Sequence, residues 1–211
     1  MIFPLTQFYI KTWRPSFNGF LTRMLYSGKR VKIGKNFKAA TVPKMIVDAN
    51  CQLIIGDNVE FRRHVEVRSH GQSQIQIEDN VRIDRGVRLL AANDSRITLK
   101  KGARVGLYTV FNGGSSITIG EKVLISGFVY LQTSMHAFED KKRYIQDQGY
   151  HHAPITLEDG AWLGTHVVIM PGVTLGKGTV VGSNAVVTKS FDDNEVVIGI
   201  PGKALEKNYE E

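Results

Sequence analysis

From Ile155 to Ser190 the chain alternates apolar and polar positions with a period of six. Leu157, Leu163, Ile169, Leu175, Val181 and Val187 form one column, and Ala161, Val167, Val173, Thr179 and Ala185 form a second column of small or apolar residues. A period of six is neither the 3.6 of an amphipathic helix nor the 2 of a hairpin strand. It fits a chain that turns a corner every six residues around a triangular core, with one column pointing inward at each corner. This pattern predicts a parallel β-helix of hexapeptide repeats, an all-β solenoid.

The repeat can be followed back to Ile33. Its openings read IGKNF at 33, IGDNVEF at 55, IEDNVRI at 77, LKKGARV at 99 and IGEKVLI at 119, then LEDGAWL at 157 and LGKGTVV at 175. The steps from 33 to 99 are 22 residues each and the next is 20, against 18 for three plain hexapeptides. The surplus falls in turn-forming stretches such as VDANCQ, RSHGQSQ and AANDS, so early coils are expected to bulge at one corner. Fourth positions hold Asn58, Asn80, Gly86, Gly102, Gly114, Gly160, Gly172, Gly178 and Asn184, residues that tolerate positive φ at a tight corner. Coils stack through parallel ladders about 4.7–4.9 Å apart. Spacing alone does not set the hand of the coil, and parallel crossovers in general are right-handed.

The register breaks once. After Leu131 the column is lost until Ile155, and the intervening TSMHAFEDKKRYIQDQGYHHAP is polar, charged and aromatic. A loop over 132–154 must project from one corner, and long loops inside compact domains are usually functional. Upstream, residues 1–30 form a basic aromatic segment in which Pro15 predicts two short helices broken at Arg14–Pro15. This segment either caps the open first coil or lies on a membrane surface. The resulting division is a cap at 1–30, a β-helix at 31–200 and a tail at 201–211.

Charge sharpens this picture. The net charge of +7 conceals nine Lys and Arg residues and no acid in the first 47 positions, leaving 18 basic and 20 acidic residues beyond them. Basicity confined to one end argues against a nucleic-acid surface along the solenoid and suits contact of residues 1–30 with an anionic membrane, while a cap whose bases keep its outside solvated stays open. No run of apolar residues is long enough to span a bilayer, and no signal-peptide pattern opens the chain. Cys51 is alone, which excludes an internal disulfide framework, is expected to be a buried small residue, and fits the reducing cytosol. The expected location is the cytoplasm, with peripheral contact at the inner face of the cell membrane.

The runs TSMHAF, PITLEDGAWLGTHVVIMPGVTLGKGTVVGSNAVVTK and VVIGIPGKAL resemble the hexapeptide-repeat acyltransferases, in the branch of the maltose and galactoside O-acetyltransferases. That branch includes sugar O-acetyltransferases of capsule, exopolysaccharide and lipopolysaccharide synthesis. The resemblance implies a left-handed parallel β-helix, a homotrimer with active sites between subunits, acetyl-CoA as donor, and a sugar or glycan hydroxyl as acceptor. His136 matches the general base at the start of the projecting loop. An imidazole suits that role because a hydroxyl attacks a thioester poorly until a base takes its proton, an effect of about 10²–10⁴ in rate. Trp162, Gly164 and Thr165 match the stretch beside the thioester and pantetheine. Ser183, Thr188 and Lys189 match positions further along the donor groove, and Lys203 matches a basic position at the nucleotide phosphates. Tyr108 stands where galactoside-type enzymes carry an acceptor-binding asparagine, with Asn112 nearby, so these two are the candidate acceptor contacts. Glu206 stands where some relatives carry a second arginine, with Lys207 beside it, and the short helical N-terminal domain of galactoside-type enzymes is replaced here. The acceptor is therefore not expected to be a simple free sugar.

Other histidines have structural readings. His64, His70 and His166 occupy corner positions, while His151 and His152 end the loop where they can line a cleft. The zinc-dependent carbonic anhydrases of this fold need three converging histidines, and the His-x4-His pair of that class is missing, so no metal is expected. Two alternatives stay open: an N-acetyltransferase acting on a nucleotide-linked aminosugar, and a non-catalytic β-helix scaffold.

Overall fold

A computed structural model describes residues 2–205. Residues 31–198 wind into a three-sided parallel β-solenoid, and each side is a sheet of stacked short strands. The first face runs from Val31–Ile33 to Thr174–Leu175. The second runs from Lys38–Ala39 to Val196–Ile198, and the third from Lys44–Val47 to Val186–Val187. The predicted columns are the interior. Every residue named in both is buried, as are Phe61, Ile83, Val67 and Leu89 of earlier coils. Coils are locked in register, Leu53 against Ile75, Ile97, Ile117 and Ile155 along one face, so the inward column never slips. Inward polar atoms are satisfied: Thr133 Oγ1 donates to the Asn112 carbonyl at 2.6 Å and Thr179 Oγ1 to that of Asp192 at 2.8 Å.

The corners behave as expected with two exceptions. Asn58, Asn80, Gly102, Gly178 and Asn184 have positive φ, as do His64 and His166. Gly114 does not, and at the turn holding His70 the positive φ belongs to Gly71. The surplus of the early coils also differs from a bulge. It lengthens the strands of the third and first faces to four residues, as in Glu66–Ser69 and Gln74–Ile77. The extra positions turn inward, where Ser69, Ser73, Ser95 and Cys51 are buried. Ser69 Oγ lies 2.8 Å from Ser73 Oγ, and Ser95 Oγ donates to the Gly113 carbonyl at 2.7 Å. A polar seam inside this corner explains why the added residues are small and hydroxylic.

The N-terminal segment is one helical rod instead of two broken helices. It comprises α1 (Ile2–Phe8), a π turn (Tyr9–Trp13) and α2 (Arg14–Tyr26). Arg14 N–H bonds to the Tyr9 carbonyl, five residues back. That wider turn just ahead of Pro15 accommodates a ring that would otherwise clash with the carbonyl four residues earlier. α2 caps the first coil through Pro15, Gly19 and Thr22, all buried, with Asn18 Nδ2 donating to the Ala40 carbonyl at 3.0 Å. The fit depends on Gly19, whose added β-carbon would lie 2.0 Å from the Phe37 carbonyl oxygen. The aromatics of the segment take no part in that contact: Phe3, Phe8, Trp13, Phe17 and Phe20 are all exposed. At the other end, Lys203–Ala204 folds back antiparallel on Val196–Ile198, so residues 201–205 are part of the solenoid's closure. Glu206 and Lys207 lie outside the described residues.

On the third face, Glu66 gathers Lys44 at 3.2 Å, Arg68 at 2.6 Å and Arg88 at 3.0 Å. Burial raises its carboxyl pKa, but hydrogen bonds from Arg68 and Lys44 outweigh that and lower it from 4.5 to about 2. Because the folded-state pKa is depressed, the stabilisation is present above the unfolded pKa and is lost as pH falls toward 2. Replacing Glu66 by Gln should lower stability at neutral pH by about 1–2 kcal/mol after allowance for solvent screening of the bases. It should also flatten the acid dependence between pH 4.5 and 2 in denaturant melts. An unchanged acid limb would show that the cluster adds no stability.

Candidate active site

The corner that joins the third face to the first is the one that varies along the solenoid. In early coils it carries the polar seam, and after Tyr130–Gln132 it opens into the 132–154 loop. The loop begins and ends in an antiparallel hairpin, Ser134–His136 against Tyr150–His152, with Ser134 opposite His152 and His136 opposite Tyr150. Side chains alternate along these strands. Ser134, His136, Tyr150 and His152 therefore share one side and line a groove of about 490 Å³, whose floor includes Asn93, Asn112, Gly114 and Gln132. His151 faces away and pairs with Glu139 at 3.0 Å. The Glu139 backbone N–H, followed by those of Phe138 and the His151 imidazole, holds this carboxyl below the ordinary range. Gln148 closes the loop, accepting from Asp140 N–H and donating to the Asp140 and Arg143 carbonyls.

His136 is exposed, with its ring 4.2 Å from that of Tyr150 between centroids. Among the described residues it makes no hydrogen bond, so both ring nitrogens are available to a ligand. Ser134 Oγ and His152 Nδ1 are 2.9 Å apart. Asn112 Nδ2 donates to Tyr130 at 3.3 Å and Gln132 Nε2 to the Ser134 carbonyl at 2.8 Å, which leaves both amide oxygens as acceptors. A free imidazole beside amide acceptors can take a proton from a bound hydroxyl. Sequence reasoning found His136 and Asn112 and placed His152 at the loop end. It missed Ser134, Gln132 and Tyr150, although Ser-x-His and Tyr-x-His with period two carried the signal.

The remaining expected residues divide between edges of the prism. Thr188 and Lys189 are exposed on the same corner as His136, following Val187, which lies two coils beyond Leu131 through Ile169. That offset is about 10 Å. Lys189 Nζ lies 5.4 Å over the Phe191 ring. Trp162 points outward from the second face, its Nε1 3.4 Å from Ser126 Oγ. Gly164, Thr165 and Ser183 follow at the corner between the second and third faces, packed so closely that a β-carbon on Gly164 would lie 2.6 Å from Ser183 N. Tyr108 is on that corner too, away from Asn112. It stacks on Phe128 at 5.5 Å, and Phe128 on His166 at 4.9 Å, all three at positive φ. Lys203 lies on the strand that closes the second face. One chain thus unites His136 and Asn112 but keeps them apart from Trp162, Gly164, Thr165, Ser183 and Tyr108. Among the described residues, no three His, Cys, Asp or Glu side chains converge to hold a metal ion.

Residues 154–189, which include Trp162, Gly164, Thr165, Ser183, Thr188 and Lys189, match the family described as bacterial transferase hexapeptide, six repeats. The galactoside O-acetyltransferase of Escherichia coli (strain K12) is 37% identical over 90 residues, 43% of each chain. The chain spans about half the length, or less, of the curated relatives it matches first. Among solved structures, a variant of AntD, an N-acyltransferase from Bacillus cereus in complex with dTDP and coenzyme A, aligns with a TM-score of 0.58 and 19% identity over 83% of both chains. The polysialic acid O-acetyltransferase OatWY aligns with a TM-score of 0.58 and 20% identity over 86% of this chain and 90% of that one. Residues 154–189 are thus hexapeptide repeats, and the chain has the left-handed parallel β-helix fold of these acyltransferases.

A β-carbon on Gly114 would lie 2.1 Å from Ser134 Oγ and 3.1 Å from His152 Nδ1. Gly114→Ala should therefore displace the hairpin, moving the imidazole NMR signals of His136 and His152 while the thermal midpoint stays nearly constant. Unmoved signals would show that Gly114 does not set the groove floor.

Proposed function

We propose that this hexapeptide-repeat chain is an acetyltransferase that moves the acetyl group of acetyl-CoA to a hydroxyl of a sugar in a cell-surface polysaccharide. The observation that carries this reading is the unbonded His136 imidazole in a groove lined by Asn112, Gln132 and Ser134. His136 removes the acceptor proton as the hydroxyl oxygen attacks the thioester carbonyl. The new C–O bond forms, the C–S bond breaks, and the imidazolium returns its proton to the departing thiolate. Products are an acetyl ester and free coenzyme A, with no acyl-enzyme. The galactoside O-acetyltransferase and OatWY support an O-linked acceptor, and AntD supports coenzyme A as the donor scaffold.

Donor contacts are assigned to Trp162, Gly164, Thr165 and Ser183 along the thioester and pantetheine, and to Thr188, Lys189 and Lys203 at the polar end. The Tyr108–Phe128–His166 stack offers flat faces to a sugar ring. Because His136 and Trp162 sit on different sides of one prism, a complete site requires a neighbouring copy, which fits a trimer. In this reading the helical rod rests on an anionic leaflet from the cytoplasmic side, and its exposed aromatics support that role. Every described residue from Phe3 to Trp13 except Gln7 is exposed, and Tyr9, Trp13 and Phe17 stack at 5.5 and 5.2 Å. Aromatics favour the headgroup region, and each nearby base adds about 1 kcal/mol.

His136→Ala should lower turnover by about 10²–10⁴ with little change in coenzyme A affinity, read from thiol release and calorimetry. Near-normal turnover would refute the base assignment. Replacing Lys189 and Lys203 by Ala should raise KM for acetyl-CoA far more than it lowers kcat. An unchanged KM would put the phosphates elsewhere.

Because α2 makes the capping contact, deleting residues 1–13, which carry the exposed Phe3, Phe8, Tyr9 and Trp13, should strongly weaken binding to anionic vesicles and leave a folded protein. Retained vesicle binding would exclude the membrane role.

A further inference from the structure

A second concavity on the chain is larger than the His136 groove. A trough of about 1060 Å³ lies between α2 and the outward side of the second face, with Ser16, Phe20 and Arg23 forming its helical wall. Along its floor the outward side chains follow one another in register: Lys38 beside Glu60, Glu60 beside Arg82, Arg82 beside Arg104. Lys122 stands at the adjoining corner. Five cations therefore line the trough against a single carboxylate.

Glu60 accounts for little of that charge. It reaches Arg62 at 3.3 Å and Arg82 at 3.7 Å, whereas Arg23, Lys38, Arg104 and Lys122 form no ion pair among the described residues. The third face resolves the same problem differently, gathering three bases on Glu66. Like charges directly opposite on a sheet are destabilising, and Arg82 and Arg104 are direct partners about 4.8 Å apart along the ladder. Burying such a surface dry against another protein would leave cations unpaired at a cost of several kcal/mol each. A solvated groove that receives negative charge avoids both penalties.

The line does not stop at Arg104. Its next partners are Leu124 and then Trp162, two coils on and about 10 Å away. Resting on the acetyltransferase reading, which sets the thioester beside Trp162, this line is the path of the acceptor away from the reaction centre. We propose that the trough is an acceptor track and that the substrate is an anionic glycan. Its carboxylate or phosphate groups are held by Arg82, Arg104, Lys38, Lys122 and Arg23 while the acetylated unit lies near Trp162.

The test measures binding of three probes to the full chain by calorimetry: hexagalacturonate as the carboxylated glycan, poly(glycerol phosphate) as the phosphorylated one, and uncharged maltohexaose. Wild-type protein should bind at least one anionic probe about tenfold more tightly than maltohexaose, with the difference shrinking as salt rises. Whichever anionic probe is preferred identifies the charged group. Arg82→Gln with Arg104→Gln should remove most of that preference, and Lys122→Gln should weaken it separately. Arg88→Gln, on the third face, should leave it intact. Since the double variant relieves repulsion, its melting temperature should hold or rise, so lost binding is not unfolding. Equal affinity for charged and neutral probes, or a double variant that binds like wild type, would overturn the proposal. Coenzyme A titrated in parallel separates the two readings. Intact coenzyme A binding without anion preference removes only the track. Anion preference in a wild-type protein that does not bind coenzyme A leaves the groove standing and removes the acetyltransferase assignment.

Discussion

Everything in this molecule depends on the register between stacked coils. Each strand can pair with the next only if the same inward residue recurs one coil later, because a slip of one position would turn the aliphatic column outward. Leu53, Ile75, Ile97, Ile117 and Ile155 hold that register although the steps between them are 22, 22, 20 and 38 residues. The corners supply the complementary constraint. Left-handed backbone at Asn58, Asn80, Gly102 and Gly178 lets the chain turn without moving the columns. Length can therefore vary at a corner while the core stays the same.

Variation is concentrated at the corner between the third and first faces, and the candidate chemistry is there. The inward serine seam of the early coils, the floor formed by Asn93, Asn112 and Gly114, and the hairpin with His136 are successive elaborations of one edge. Each is placed by parallel pairing to the coil below, which gives the groove a rigid base although its wall is a loop. The second face is specialised in another way. Its early coils present an excess of cations and its later ones Leu124, Trp162 and Val180, so one outward line grades from basic to apolar. In the proposed account, two adjoining copies bring these edges together, one contributing the base and the other the donor and acceptor lines.

Much of this was legible in the sequence because the six-residue period is a geometric statement about corners. Leu157 to Val187, Ala161 to Ala185 and the loop after Leu131 all stand where that period puts them. What the period could not convey is conformation inside the exceptions to it. The loop's only hairpin signal is the period-two pair Ser-x-His and Tyr-x-His, too short to stand out in a polar stretch, so Ser134 and Tyr150 are not evident beside His136. Pro15 argued for a helix break, yet a single π turn absorbs it, since Tyr9–Trp13 buries none of its residues and a wider turn displaces no core packing. The aromatics of that segment looked like material for a buried cap, whereas Pro15, Gly19 and Thr22 supply the contact because only small side chains allow α2 so near Phe37. The five-cation trough was hidden because Arg23 comes from the helix and the others stand one or two coils apart, with Glu60 and several other acids between them in the chain.

The account's central claim is that the His136 groove of one copy and the Trp162 line of another form a single reaction centre. A crystal structure with coenzyme A bound tests it most directly. The predicted result is a trimer in which the coenzyme A sulfur sits at the mouth of the His136 groove, its pantetheine running past Trp162 and Ser183 of the adjoining copy toward Lys189. Coenzyme A bound remote from His136, or contacted by one isolated chain alone, would contradict it.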